Sequence, residues 1–438
     1  MKYEVVIGLE THVELDTKSK IFCSCGGHSE HGEPNDCVCP ACCGMPGMLP
    51  VTNKRAVELA IMAGLILNCK INEYVTFDKK SYYYPDLPCA YQITQWFNPI
   101  CVEGNVEVKG KNGTRTVGIK QIHMEEDAGK LVHDIREDTT HVDFNRTSVP
   151  LIEIVSQPDL SSAEEVECYL ERLKTLLRFA KVAECEMAHG TMRCDVNLSI
   201  RPEGTTKLGV RTEMKNMNSI EAIKRAIDYE VARHIDALEN NTEVLKQETR
   251  RWDDIKGKSY AMRSKETAGD YRYFPDPNVM PVVIDDEWFS EIQNSLPEFP
   301  EVKKARYTNE LGLSDYDASQ ITKSIALCEC FEKAYEVSGS AKDSANWITS
   351  EIMSILNVKQ MTYDMLKVSG EKLGELIVLV SSGKVGRVNA KKILTDMFDD
   401  NTICPEEYAK ANGYIISNDT SLIEDVVKKA VANNPKAV

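Results

Sequence analysis

Six of the chain's 15 cysteines fall between Cys23 and Cys43, and that cluster constrains the fold more than any other feature of the sequence. It reads Cys23-Ser-Cys25, then Cys37-Val-Cys39-Pro-Ala-Cys42-Cys43. A two-residue spacer lets the thiolates of Cys39 and Cys42 reach one tetrahedral ion, and Cys23 and Cys25 can supply the other pair. Gly26, Gly27, Gly32 and Pro34 lie between the pairs, so this segment reads as a loop able to fold back. The expectation is a closed four-thiolate zinc site. Such a site is structural, because no coordination position stays open for a substrate. Cys37 and Cys43 are spare thiols that could exchange into it, and His28 and His31 are further ligand candidates. The competing reading is a run of buried free thiols. The odd cysteine total, with a start (Met1–Ile7) that lacks a signal peptide's apolar stretch, points to a reducing compartment and a cytoplasmic location.

The length of 438 residues predicts about two to four domains. The 52 Lys+Arg against 68 Asp+Glu give a net charge of −16. That excludes a uniformly basic nucleic-acid coat but not a basic face on an acidic body. No window approaches the roughly 18 apolar residues of a membrane span, so no membrane association is expected. Up to about residue 290 the pattern mixes strands with helices. Val5–Val13, a hairpin over Gly104–Gly118, Leu151–Val155, Asp195–Ile200 and Val210–Met214 read as strands. Lys54–Leu67, Ser162–Phe179 and Ser219–Leu238 read as helices. The predicted class is α+β with a largely antiparallel sheet. From about residue 301 only helical periodicity remains, as in Ser319–Val337, Ser344–Leu356 and Glu371–Val380. The boundaries expected are 1–293, 294–362 and 363–438.

Several acids sit where a sheet should not want them. Glu10 and His12 share one strand face, as do Asp195 and Asn197. Glu153 interrupts an apolar strand, where a carboxylate is costly unless paired or metal-bound. Glu125 follows His123-Met, and Glu213 lies between Arg211 and Lys215. An inward cluster of acids with one His suits a hard cation such as Mg²⁺. Unrelated surface acids paired with nearby bases fit the same spacing equally well. There is no Walker loop and no dinucleotide fingerprint. Asp78–Asp86, Tyr91–Trp96 and Tyr271–Pro277 are dense in rings next to bases. They fit either base stacking with phosphate contact or Tyr-rich strand edges packed on a core.

The ordered segments Ile7-Gly-Leu-Glu-Thr-His-Val-Glu-Leu15, Cys39-Pro-Ala-Cys-Cys-Gly-Met-Pro-Gly47, Tyr84-Pro-Asp-Leu-Pro88 and His123-Met-Glu-Glu-Asp-Ala-Gly-Lys130 resemble one family. So do Pro150-Leu-Ile-Glu-Ile-Val-Ser156, Met192-Arg-Cys-Asp-Val-Asn197, Arg211-Thr-Glu-Met-Lys-Asn216 and Asp270-Tyr-Arg-Tyr-Phe-Pro275. The family is the B subunit of the Asp/Glu-tRNA(Asn/Gln) amidotransferase. The resemblance implies a cradle-like N-terminal catalytic domain, a helical domain and a small helical tail. It implies two partner subunits, an amidase A subunit and a small C subunit, in a heterotrimer. It also implies an ATP- and Mg²⁺-dependent ligase reaction: phosphorylation of the side-chain carboxylate of misacylated Glu-tRNA(Gln) or Asp-tRNA(Asn), then amidation with ammonia from the amidase. By similarity, Glu10, His12, Glu125 and Glu153 form the magnesium-centred catalytic site, with Glu213 and Asp195 as neighbours. Lys79, Tyr82, Tyr84, Asp86, Gln92, Arg146, Lys215 and Asn216 are candidates for holding ATP or the tRNA acceptor end. Three departures stand out: Cys89-Ala90 where the family usually has Lys-Gly, Ala188-His189 in place of an acidic pair-like position before Gly190, and an end at Val438 where the family usually continues, which reads as a shortened tail. The alternative functions are a non-catalytic, zinc-stabilised tRNA-binding module and, less well supported, a free zinc hydrolase.

Overall fold

The structure is a computed structural model that describes residues 2–27, 32–82, 84–110, 113–134, 138–262 and 271–416. The expectations about the tail beyond residue 416, and about His28 and His31, lie outside the described residues. Contacts divide the chain into two compact units, 1–297 and 298–438.

The first unit is built on a nine-stranded sheet among the described residues. Its strands, in chain order, are β1 (Tyr3–Glu14), β2 (Lys70–Ile71), β3 (Cys101–Gly110), β4 (Gly113–Glu126), β5 (Pro150–Ser156), β6 (Met192–Pro202), β7 (Thr212–Lys215), β8 (Glu248–Asp253) and β9 (Lys258–Ala261). Across the sheet they run β9-β8-β7-β6-β1-β5-β4-β3-β2. Every pair is antiparallel except β7 with β8. The expected hairpin is β3 with β4, paired down to Gly110 opposite Gly113.

Alternation gives the sheet two unlike faces. Ile7, Leu9 and Val13 of β1, Ile152 and Ile154 of β5, and Val196 and Leu198 of β6 are buried. Each contributes roughly 1.5–3 kcal/mol by leaving water. Three helices cover this face: α1 (Lys54–Ile66), α2 (Ala163–Phe179) and α3 (Ile220–Asn240). Each starts at a side-chain cap that satisfies free amides. Asn53 accepts from Arg55 N, Ser162 from Glu165 N, and Ser219 from Ala222 N. The opposite face carries the polar residues. A three-stranded sheet of Asp78–Ser81, Tyr91–Thr94 and Phe274–Pro275 lies beside it, bonded through the side chains of Gln92 and Thr94 to β4.

Among its described residues the second unit is built of helices, with one isolated antiparallel bridge between Val385 and Ile415. The expected helix Ser319–Val337 is two helices, Asp315–Ile321 and Ile325–Ser338. The break falls where Ser324 accepts from Ala326 N and starts the second helix. Gly370–Ser381 packs against Ile325–Ser338, and Gly374 makes that approach possible, because a Cβ there would lie 2.6 Å from the Val337 side chain. No helix among the described residues is long and apolar enough to cross a membrane.

Candidate functional site

The strand register explains how the acids meet. His12 on β1 stands opposite Glu153 on β5, and Glu153 stands opposite His123 on β4. Glu125 follows two residues after His123 on the same face. The resulting chain of contacts is tight: His12 Nε2 to Glu153 Oε2 is 3.3 Å, His123 Nε2 to the same oxygen 3.2 Å, and His123 Nε2 to Glu125 Oε1 3.1 Å. Thr94 Oγ1 donates to Glu125 Oε1 at 2.8 Å, and Gln92 Nε2 to its other oxygen at 3.2 Å. Burial opposes charge on both rings. At His123 the neighbouring carboxylates outweigh it and push the imidazole up to about 10. His12 is also raised, chiefly through Glu153, while the two histidines hold Glu153 well below the ordinary carboxylate range.

A second cluster lies next to the first. Glu10 stands opposite Asp195 on β6, and Glu213 on β7 stands opposite Asn197. Asn197 Nδ2 donates to Glu10 Oε1 at 3.0 Å. Lys215 bridges Asp195 and Glu213, reaching Glu213 Oε1 at 3.1 Å, and Thr249 Oγ1 donates to the other Glu213 oxygen at 3.0 Å. Burial, then the charges of Glu153, Glu213 and Asp195, raises the Glu10 carboxyl above its usual range.

The four residues expected around one magnesium ion are therefore split. His12, Glu125 and Glu153 offer ligand atoms within 4.8 Å of one another, while Glu10 groups with Asp195 and Glu213. The reason is the pleat: Glu10 and His12 share a face but sit two residues apart, so each meets a different neighbour. His123, not singled out as a site residue, is central to the first cluster. Its signal was the same two-residue spacing, His123 to Glu125, that joined Glu10 to His12.

Both clusters face one cavity of about 690 Å³, whose wall includes Glu10, Glu125, Glu153 and Glu213 and the cations Lys80 and Arg211. That volume suits a nucleotide-sized ligand. Lys79, expected here, points the other way. Lys80 stands opposite Gln92 in the strand pair and shares its face, whereas Lys79 pairs with buried Asp276 at 3.6 Å and lies over Tyr91. Tyr82 lies close enough for its hydroxyl to contact Gln92 Oε1 at 3.5 Å. Tyr84, Asp86, Arg146 and Asn216 are not part of the cavity wall. Tyr84 is exposed, and the Asp86 carbonyl accepts from Gly129 N. Arg146 donates to the carbonyls of Ala128 and Gly129, and Asn216, at φ 69°, donates to the Trp252 carbonyl. Cys89 lies in the wall of a separate cavity of about 220 Å³, together with Tyr91 and Glu126.

The cysteine cluster closes on itself. Sulfur atoms of Cys23, Cys25, Cys39 and Cys42 all lie within 4.8 Å of one another, with Cys39 and Cys42 at 3.8 Å. Four sulfurs about 2.3 Å from a tetrahedral centre need nearly that spacing. Gly27 brings the first arm in: a Cβ there would be 2.3 Å from the Thr17 carbonyl. Lys20 is fully buried beneath the cluster, its Nζ 3.7 Å from Cys42 Sγ. The Cys42 thiol is lowered to about 4, first by the Cys23 hydrogen bond and further by Lys20. A buried cation beside the thiols favours the thiolate form that a metal binds. Cys37 and Cys43 stand outside the quartet, Cys37 Sγ lying 3.8 Å from the Gly26 carbonyl.

Residues 5–290 match a family described as the GatB/GatE catalytic domain, and residues 329–438 match the GatB domain. The chain is 50% identical to the B subunit of the aspartyl/glutamyl-tRNA(Asn/Gln) amidotransferase of Caldicellulosiruptor bescii, over all of this chain and 91% of that relative. It is 48% identical to the protein of the same description from Ruminiclostridium cellulolyticum, over all of this chain and 90% of that relative.

Proposed function

The chain belongs to the family of aspartyl/glutamyl-tRNA(Asn/Gln) amidotransferase B subunits, and from that premise we propose that its first unit activates and amidates the side-chain carboxylate of a misacylated tRNA. The substrates would be Glu-tRNA(Gln), Asp-tRNA(Asn) or both. A carboxylate is a poor acyl donor. Its oxygen attacks the γ-phosphorus of ATP, ADP leaves, and the acyl phosphate formed has a good leaving group. Ammonia from an amidase partner then attacks the carbonyl carbon, inorganic phosphate departs, and the nitrogen loses a proton. The chain would act in the cytoplasm, with a small third subunit completing a heterotrimer.

The observation that carries this reading is the paired acidic clusters facing one nucleotide-sized cavity. A magnesium ion held by His12, Glu125 and Glu153 would neutralise charge on the transferring phosphoryl oxygens. The donor set fits, since two carboxylates and an imidazole converge within 4.8 Å, and His12 would give up its proton to coordinate the ion. Gln92 and Thr94 fix the Glu125 carboxylate, and Lys80 and Arg211 bring positive charge to the cavity for the triphosphate. Lys215 and Thr249 hold Glu213 in place, while Asn197 orients Glu10. Such positioning and electrostatics are the main catalytic resources in phosphoryl transfer. Zinc on Cys23, Cys25, Cys39 and Cys42 would staple the 23–43 loop to the sheet domain.

The test is Glu153→Gln in the chain assembled with its amidase and small subunits, with circular dichroism as folding control. ATP-dependent phosphorylation of misacylated tRNA should fall by about 100-fold or more. Unchanged phosphorylation by a folded variant would overturn the proposal.

A further inference from the structure

Part of the same cavity wall is aromatic. The Trp96 and Tyr273 rings stack with centroids 4.3 Å apart and planes 12° from parallel. Tyr271 meets Tyr273 edge to face at 6.0 Å, and Lys80 Nζ lies 5.2 Å from the Tyr271 ring. Trp96, Tyr271 and Tyr273 all border the cavity that holds the acidic clusters. An indole packed as core would be covered, but Trp96 is 47% exposed.

The backbone under this ring is fixed with unusual care. Asp78, fully buried, accepts from Trp96 N at 2.7 Å and Phe97 N at 3.0 Å through one carboxylate oxygen. Gln95, also fully buried, accepts from Ile100 N and Met124 N through its side-chain oxygen. Two buried polar side chains thus hold the turn that presents the indole, one of them a carboxylate whose desolvation is costly. An exposed aromatic ring gains nothing for folding from such rigidity. A ring that receives a flat ligand does, because a preformed platform loses little entropy on binding.

We propose that Trp96, backed by Tyr273, is a stacking platform for an adenine base whose phosphate or ester end reaches the acidic clusters. This rests on the functional reading above and extends it by assigning the base. Adenine occurs in that reaction in two places: in ATP and in the terminal nucleotide of the tRNA acceptor end. The shared chemistry is a purine face on an indole, with Lys80 nearby to meet the attached negative charge. Base–aromatic stacks are sequence-tolerant and lose about five- to a hundredfold in affinity when the ring is removed.

The experiment is equilibrium binding of two probes, Mg·ATP and an RNA minihelix ending in CCA, to the wild-type chain, Trp96→Ala and Trp96→Phe. Isothermal titration calorimetry, the same readout for all three chains, reports occupancy. Trp96→Ala should weaken one probe by about five- to a hundredfold, and Trp96→Phe should restore it to within about threefold of wild type. Loss confined to Mg·ATP assigns the platform to the nucleotide, and loss confined to the minihelix assigns it to the tRNA end. Equal binding of both probes by wild type and Trp96→Ala would overturn the proposal, as would a wild-type chain that binds neither. A platform confirmed by binding in a complex that shows no ATP-dependent phosphorylation would instead sink the functional reading and leave the platform standing.

Discussion

His234 should make the first unit sensitive to acid. Its side chain is fully buried on α3 behind the sheet, with Nε2 2.8 Å from Thr212 Oγ1 at the start of β7. Burial first, then the Arg233 charge, depresses the imidazole to about 4, against the opposing charges of Glu230 and Glu243. In the unfolded chain the same ring titrates near 6.5. A group depressed on folding contributes stability above its unfolded pKa and loses it as pH falls toward the folded value. The interval from about 6.5 to about 4 corresponds to roughly 3 kcal/mol, of which about 2 kcal/mol is gone by pH 5. His234→Gln keeps a hydrogen-bonding group near Thr212 but cannot titrate. Urea unfolding of wild type and variant, followed from pH 7.5 to 4.5, isolates the effect as a difference. The wild type should lose about 2 kcal/mol more than the variant between pH 7.5 and 5. Parallel profiles would refute the assignment of a buried neutral imidazole. Thr212 opens the strand that carries Glu213 and Lys215, so the acid loss should also disturb the second acidic cluster.

Three further outcomes follow from the packing. Glu230 is fully buried and ion-paired with Arg233 and Arg250, so Glu230→Gln should cost about 1.5–3 kcal/mol in urea unfolding, because each guanidinium loses one carboxylate but keeps another, Glu243 or Glu248. Lys79→Met should lower the melting temperature by stranding buried Asp276, whereas Lys80→Met should spare stability and raise the KM for ATP; a reversed pattern would refute the facing assigned to the two lysines. Elemental analysis should find about one zinc per chain, lost in Cys39→Ser but retained in Cys43→Ser, and zinc-free folded wild type would refute the four-thiolate reading.

Much of this site was legible because strands have a period of two. Alternation alone places Glu10 with His12, and Asp195 with Asn197, on common faces. The Cys39-x-x-Cys42 half-site pointed to its cluster in the same local way. The residues missed or misplaced depend on pairings between distant segments. Lys79 and Lys80 are both plausible phosphate ligands in sequence, and only the pairing of Lys80 with Gln92, and of Gln92 with Glu125, decides which one faces the cavity. Trp96 could not be told from a core ring, because the buried carboxylate that pins it lies 18 residues earlier. The division of four expected metal ligands into two clusters depends on which strands flank β1, and that is a matter of topology.

That topology also explains why both clusters form with ordinary geometry. Neighbouring strands lie about 4.8 Å apart, and His12, Glu153 and His123 occupy directly opposed positions on three adjacent strands. Side chains rising from such positions converge without strain. Glu10 repeats the pattern with Asp195 on the other side of β1. Along β1 the two clusters are separated by two residues, or roughly 7 Å of strand, which lets one cavity present both to a single elongated substrate. Precision here comes from register, so the site should tolerate substitution of individual neighbours better than any shift of a strand. Inserting one residue between Gly8 and Leu9 would turn either the upstream apolar residues or Glu10 and His12 to the wrong face. Such a variant should lose phosphorylation completely, while Val155→Ile, a side chain added at the cavity wall without a change of register, should retain it. Equal loss in both would mean that wall packing, and not strand register, sets the geometry.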